Sequence, residues 1–63
     1  MAITAFEVYE KYNLPINCKM VNWKRYKDSM IMDVWFEFDK YRYHRSMDVV
    51  EHSILSSHKN KQQ

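Results

Sequence analysis

The sequence predicts a small α+β domain, ordered helix, three antiparallel strands, helix (α-β-β-β-α), with both helices on one face of the sheet. Three observations predict it. Thr4-Ala5-Phe6-Glu7 has the form of a capping box and opens a helical spacing of apolar residues. The run from Met32 to Phe38 alternates with a period of two, and strands on either side of it pair with it in one consistent register. A second helical spacing follows a cap residue at Ser46.

The first helix is expected at about residues 4–13. Ala5, Val8, Tyr9 and Tyr12 fall on one face, and Ile3 with Val8 can form a hydrophobic staple around the cap. Glu7 and Lys11 stand one turn apart and are expected to pair. Asn13 tolerates the left-handed conformation that ends a helix, and Pro15 forces Leu14 to be extended.

In the central strand Met32, Val34, Phe36 and Phe38 share one side, and Asp33, Trp35 and Glu37 the other. A turn at Asp28-Ser29 sets Trp23 opposite Val34, Val21 opposite Phe36 and Lys24 opposite Asp33. A turn at Asp39-Lys40 sets Tyr41 opposite Phe38, Tyr43 opposite Phe36 and Arg42 opposite Glu37. Apolar meets apolar and charge meets opposite charge in both hairpins. The chain has no glycine, so wider loops or a bulge are expected at these turns. A bulge near Met20 reconciles the preceding residues with the register.

The second helix is expected from Ser46, with Asp48 at its positive end and Met47, Val50 and Ile54 along one side. Residues 1–58 then form one domain and 59–63 a polar tail. Double-stranded-RNA-binding domains share this element order, but their last helix starts basic and alanine-rich. Here Met47-Asp48-Val49-Val50-Glu51 carries two acids and no base, so that family is not assigned.

A chain of 63 residues buries only about 60% of the surface its unfolded form exposes. Small domains compensate with disulfides, a metal or a partner subunit. Cys18 is the only cysteine, which excludes a disulfide within the chain and suits a reducing compartment. Glu7, Glu10 and Lys11 interrupt any signal-like apolar run, and no stretch reaches the roughly 20 apolar residues of a membrane helix. A soluble cytoplasmic protein is the expectation.

Catalytic arrangements are not expected. Without glycine there is no phosphate-cradling loop, dinucleotide fingerprint or nucleophile elbow. His44, His52 and His58 are eight and six residues apart, spacings that do not stack imidazoles on a helix face. No metal or other cofactor is therefore expected.

The informative feature is the side of the sheet that faces away from the core. The register places Asn22, Lys24, Tyr26, Ile31, Asp33, Trp35, Glu37, Arg42 and His44 there. A tryptophan beside an isoleucine, a tyrosine and two bases marks a surface for a partner or a homodimer interface. The first functional expectation is a small non-catalytic protein that inhibits or recruits a larger protein machine, as many phage and mobile-element proteins do. Trp35, Tyr26, Lys24, Asn22, Ile31, Arg42 and His44 would carry the contact. The alternative is a nucleic-acid platform. Trp23-Lys24-Arg25-Tyr26-Lys27 and Lys40-Tyr41-Arg42-Tyr43-His44-Arg45 interleave rings with bases, and Trp35 joins them. Net charge is only +2, yet residues 16–27 and 40–45 hold seven bases and no acid. An anionic partner fits either reading.

Overall fold

The computed structural model describes residues 3–61, with side chains as far as residue 58. Its elements run α1 (Ala5–Lys11), β1 (Lys19–Arg25), β2 (Ile31–Phe38), β3 (Tyr41–Asp48) and α2 (Val49–Lys61). The strands form one antiparallel sheet in the order β1-β2-β3. Among the described residues no helix is long and apolar enough to cross a membrane.

The α1 capping box forms as the sequence predicts, with Thr4 Oγ1 accepting from the Glu7 N–H and Glu7 accepting from the Thr4 N–H. Ala5, Val8 and Tyr9 are buried on the inner face. Asn13 takes φ 55° just past the helix, where a left-handed residue lets the backbone turn out of it. The expected Glu7–Lys11 pair does not form. The cap holds the Glu7 carboxylate, and Lys11 reaches instead to Glu51 on α2, 2.6 Å away.

Met32, Val34 and Phe36 of β2, Met47 of β3 and Leu55 of α2 meet Val8 and Tyr9 in the core, each no more than 3% exposed. Cys18 is buried with them as a small apolar residue. The second hairpin has the expected register throughout, from Phe38↔Tyr41 to Ile31↔Asp48. The first keeps Trp23↔Val34 and Lys24↔Asp33, but Met20 and not Val21 stands opposite Phe36. A register shift between Met20 and Asn22 leaves Val21 as the extra residue. The bulge was expected near this point. One unpaired residue moves everything before it by one position.

The turns differ from each other. Tyr26 to Met30 make a wider loop, with Asp28 at φ 63° and the Ser29 N–H donating to the Tyr26 carbonyl. Asp39 (φ 50°) and Lys40 (φ 72°) form a tight two-residue turn, where a wider one was expected. Two consecutive positive-φ residues match the twist of the flanking strands, and the chain accepts this conformation without glycine. A side chain in the left-handed region costs roughly 1–2 kcal/mol, partly offset by the greater backbone entropy that glycine loses. Lys40→Gly is therefore expected to stabilise the domain by about 0.5–1 kcal/mol, read from the urea midpoint at unchanged slope. A lower midpoint would mean that the lysine side chain contributes more than the strain.

The start of α2 is also corrected. β3 runs through Asp48, so Ser46 lies in the strand and Asp48 takes the place before the first helical residue. The Asp48 N–H donates to Glu51 Oε1 at 3.2 Å, the backbone half of a capping box. α2 continues to Lys61, into the segment expected to be a polar tail, and residues 62 and 63 lie outside the described residues.

The helices lie on one side of the sheet, and the layer they form is displaced toward β3. α2 packs on α1, β3 and β2. Arg45 of β3 donates through Nε to the Tyr12 carbonyl and through a terminal nitrogen to the Asn13 carbonyl, closing the C-terminal end of α1. The helix side of β1 stays open, and Trp23 is 55% exposed there.

Candidate protein-binding face

Strand alternation builds this face directly. Residues 31, 33, 35 and 37 of β2 point away from the helices, opposite 48, 46, 44 and 42 of β3. On β1, Asn22 and Lys24 stand across from Trp35 and Asp33. The seven residues expected to contact a partner (Asn22, Lys24, Tyr26, Ile31, Trp35, Arg42 and His44) therefore share one side of the sheet. Among the described residues no helix lies over it.

Asp33 organises the centre. Tyr26 Oη donates to its Oδ2 at 2.7 Å, and Ser46 Oγ donates to its Oδ1 at 3.1 Å. His44 Nε2 lies 3.0 Å from the same Oδ1. The Tyr26 hydrogen bond, with His44 and Ser46 adding to it, holds the Asp33 carboxyl below its ordinary value. That same bond, together with the charge on Asp33, raises the Tyr26 phenol. Two strands and the first turn are thereby tied through one carboxylate.

The apolar part of the face adjoins this cluster. The Trp35 ring packs on His44 with centroids 5.1 Å apart and is half-buried by its own neighbours. Ile31 is 48% exposed and Tyr26 47%. Lys24 was expected to meet Asp33, and the register does set them opposite each other. Its ammonium lies instead over the Tyr26 ring, 5.3 Å from the centroid, because Asp33 is occupied by hydrogen-bond donors. Arg42 meets Glu37 as expected, at 3.5 Å on an exposed surface where such pairs contribute little.

Ser46, His44 and Asp33 do not form the line that activates a nucleophile. Ser46 gives its hydrogen to the carboxylate, not to the imidazole. Among the described residues no group of three histidine, cysteine or acidic side chains is placed to hold a metal ion.

The residues named for nucleic acid are not brought together. Lys24, Trp35 and Arg42 lie on the open face, whereas Trp23, Arg25 and Arg45 lie on the helix side. Lys27 and Lys40 belong to opposite ends of the sheet, in the first and second turns. The two tryptophans cannot stack on one strand of bases, and Arg45 is engaged at the end of α1.

Sequence reasoning missed two features. Ser46 belongs to the Asp33 cluster, and its place across from Asp33 follows from extending the second hairpin two residues further. Glu51 is 6% exposed and joins Lys11 of the first helix and its C-cap Tyr12 to the start of the second. Only the approach of the two helices reveals that role.

Comparison of the chain with protein-family models, with curated proteins and with solved structures finds no match.

Proposed function

We propose that this chain is a non-catalytic module that attaches to a larger protein through the open face of its sheet, and so inhibits or recruits it. The observation that carries the reading is the pairing of exposed apolar side chains with a fixed polar floor. Exposed Ile31 and Tyr26 and half-buried Trp35 stand around a carboxylate that already holds Tyr26, His44 and Ser46 in place. Ordering side chains at an interface costs roughly 0.5–1.5 kcal/mol each, and side chains ordered beforehand avoid much of that cost. Tryptophan, tyrosine and arginine dominate the energetics of protein interfaces, and this face offers Trp35, Tyr26 and Arg42.

The test compares the wild-type chain with Trp35→Ala. Far-ultraviolet circular dichroism of the variant should remain native, because Trp35 lies outside the core. Affinity for a protein captured from the source cell or its host should fall by about tenfold or more, the behaviour of an interface hot spot. Unfolding of the variant would place Trp35 in a structural role. Saturable binding of oligonucleotides that collapses between about 50 and about 200 mM salt would move the function to nucleic acid.

A further inference from the structure

We infer that the helix side of β1 is a second docking surface, fitted to an acidic amphipathic helix of a partner protein lying beside α2. Trp23 faces the same way as Val34 but is 55% exposed, because the helical layer is displaced toward β3. Its ring rests on His52 of α2, with centroids 5.6 Å apart. Val49 and Ser56 share the helical stripe of His52 and are half-buried, so α2 lines one side of an open strip. Met30 adds a 58% exposed side chain at the turn end, where its carbonyl accepts the Val49 N–H. His52 Nε2 is buried and has no hydrogen-bond partner among the described residues.

Charge selects the occupant. Residues 16–27 contain four bases and no acid, and Lys19, Lys24, Arg25 and Lys27 form no ion pair among the described residues. Alternation keeps only Arg25 on the face of Trp23 and sends Lys24 to the other side. One base beside an aromatic ring gives too short a track for successive phosphates, but suffices for a carboxylate on a helix whose apolar stripe covers Trp23.

The probe is a synthetic helical peptide with leucines along one face and glutamates on its flanks, compared with a version carrying lysines in place of the glutamates. The chain has two tryptophans, so Trp35→Phe leaves Trp23 as the only indole reporter. A saturable blue shift with the glutamate peptide is expected, with binding of the lysine peptide weaker on the order of tenfold. Arg25→Glu should reverse that preference. In the wild-type chain, amide and indole NMR shifts should concentrate at Trp23 and His52 and be unchanged by Trp35→Ala, which separates this surface from the open face. The inference is overturned by no saturable response, by equal affinity for both peptides, or by tighter binding of a single-stranded oligonucleotide. Self-association of the chain that Trp23→Ala abolishes would also overturn it, by assigning the strip to a second copy.

Discussion

Phe36→Ala is expected to remove about 3–5 kcal/mol, roughly half or more of the stability of so small a domain. Phe36 is 1% exposed and lies in the middle of β2, between Met20 and Tyr43 on the neighbouring strands. Truncating a buried phenylalanine costs about 3–5 kcal/mol, through lost transfer energy and the cavity left behind. A chain of this length has roughly 3–9 kcal/mol of stability in all, at about 0.05–0.15 kcal/mol per residue. Collapse of the surroundings would reduce the loss, but Val34 and Met32 on the same strand are held by pairing on both sides. Chemical denaturation monitored by near-ultraviolet circular dichroism gives the answer. Native-like stability would mean that the side of the sheet assigned to the core is the wrong one.

Glu51→Ala should cost about 2 kcal/mol, although the residue is charged and far from the centre of the sheet. Its carboxylate accepts from Lys11 Nζ, from Tyr12 Oη and from the Asp48 N–H. Losing the cap removes about 1 kcal/mol, and the Tyr12 hydrogen bond to a charged acceptor about 1–1.5. Lys11 is exposed enough to regain water, so the variant leaves no buried unpaired charge there. The pH dependence has a definite sign. Burial pushes the Glu51 carboxyl up, but the hydrogen bonds from Lys11, Tyr12 and the Asp48 N–H outweigh it and hold the group below its ordinary value. Stability from Glu51 is therefore present above the unfolded-state value and lost as pH falls through the lowered one. Lys11 is raised, chiefly by the same hydrogen bond, so its contribution is present below its unfolded-state value and lost as pH rises through the raised one. Urea midpoints should accordingly fall toward acid in the wild-type chain and less steeply in Glu51→Ala. Parallel curves for the two proteins would assign the acid sensitivity to other carboxyls.

The parts of this fold that were legible are those determined by local period and pairing. Met32, Val34 and Phe36 alternate strictly, and the second hairpin follows residue for residue. Thr4 and Glu7 identify the first cap by themselves. The start of α2 was misplaced because Ser46 and Asp48 are both good caps. The acid three residues on, Glu51 after Asp48, was the signal that distinguishes them, since Ser46 is followed at that distance by Val49. Trp23 shows a different limit. Its register was right, but register says which side of the sheet a residue faces and not whether a helix covers that side. The open face was readable for the complementary reason, because nothing from elsewhere in the chain had to be placed over it. Ser46 and Glu51 acquire their partners through tertiary contact, which a one-dimensional pattern does not encode.

The displaced helical layer also divides the sheet by local stability. β2 is paired on both edges and lies beneath α2, so the amides it pairs with β3 open only with the whole molecule. β1 is attached along one edge, interrupted at Val21, and carries almost no buried side chains. It can separate from β2 in a sub-global opening that leaves the two helices and the β2–β3 hairpin assembled. Such an opening uncovers the edge of β2 beside Phe36, so the strand that bears Trp23 also guards the core from the solvent on that side. Anything that grips β1 therefore acts on these partial openings of the domain as well as on its resting surface.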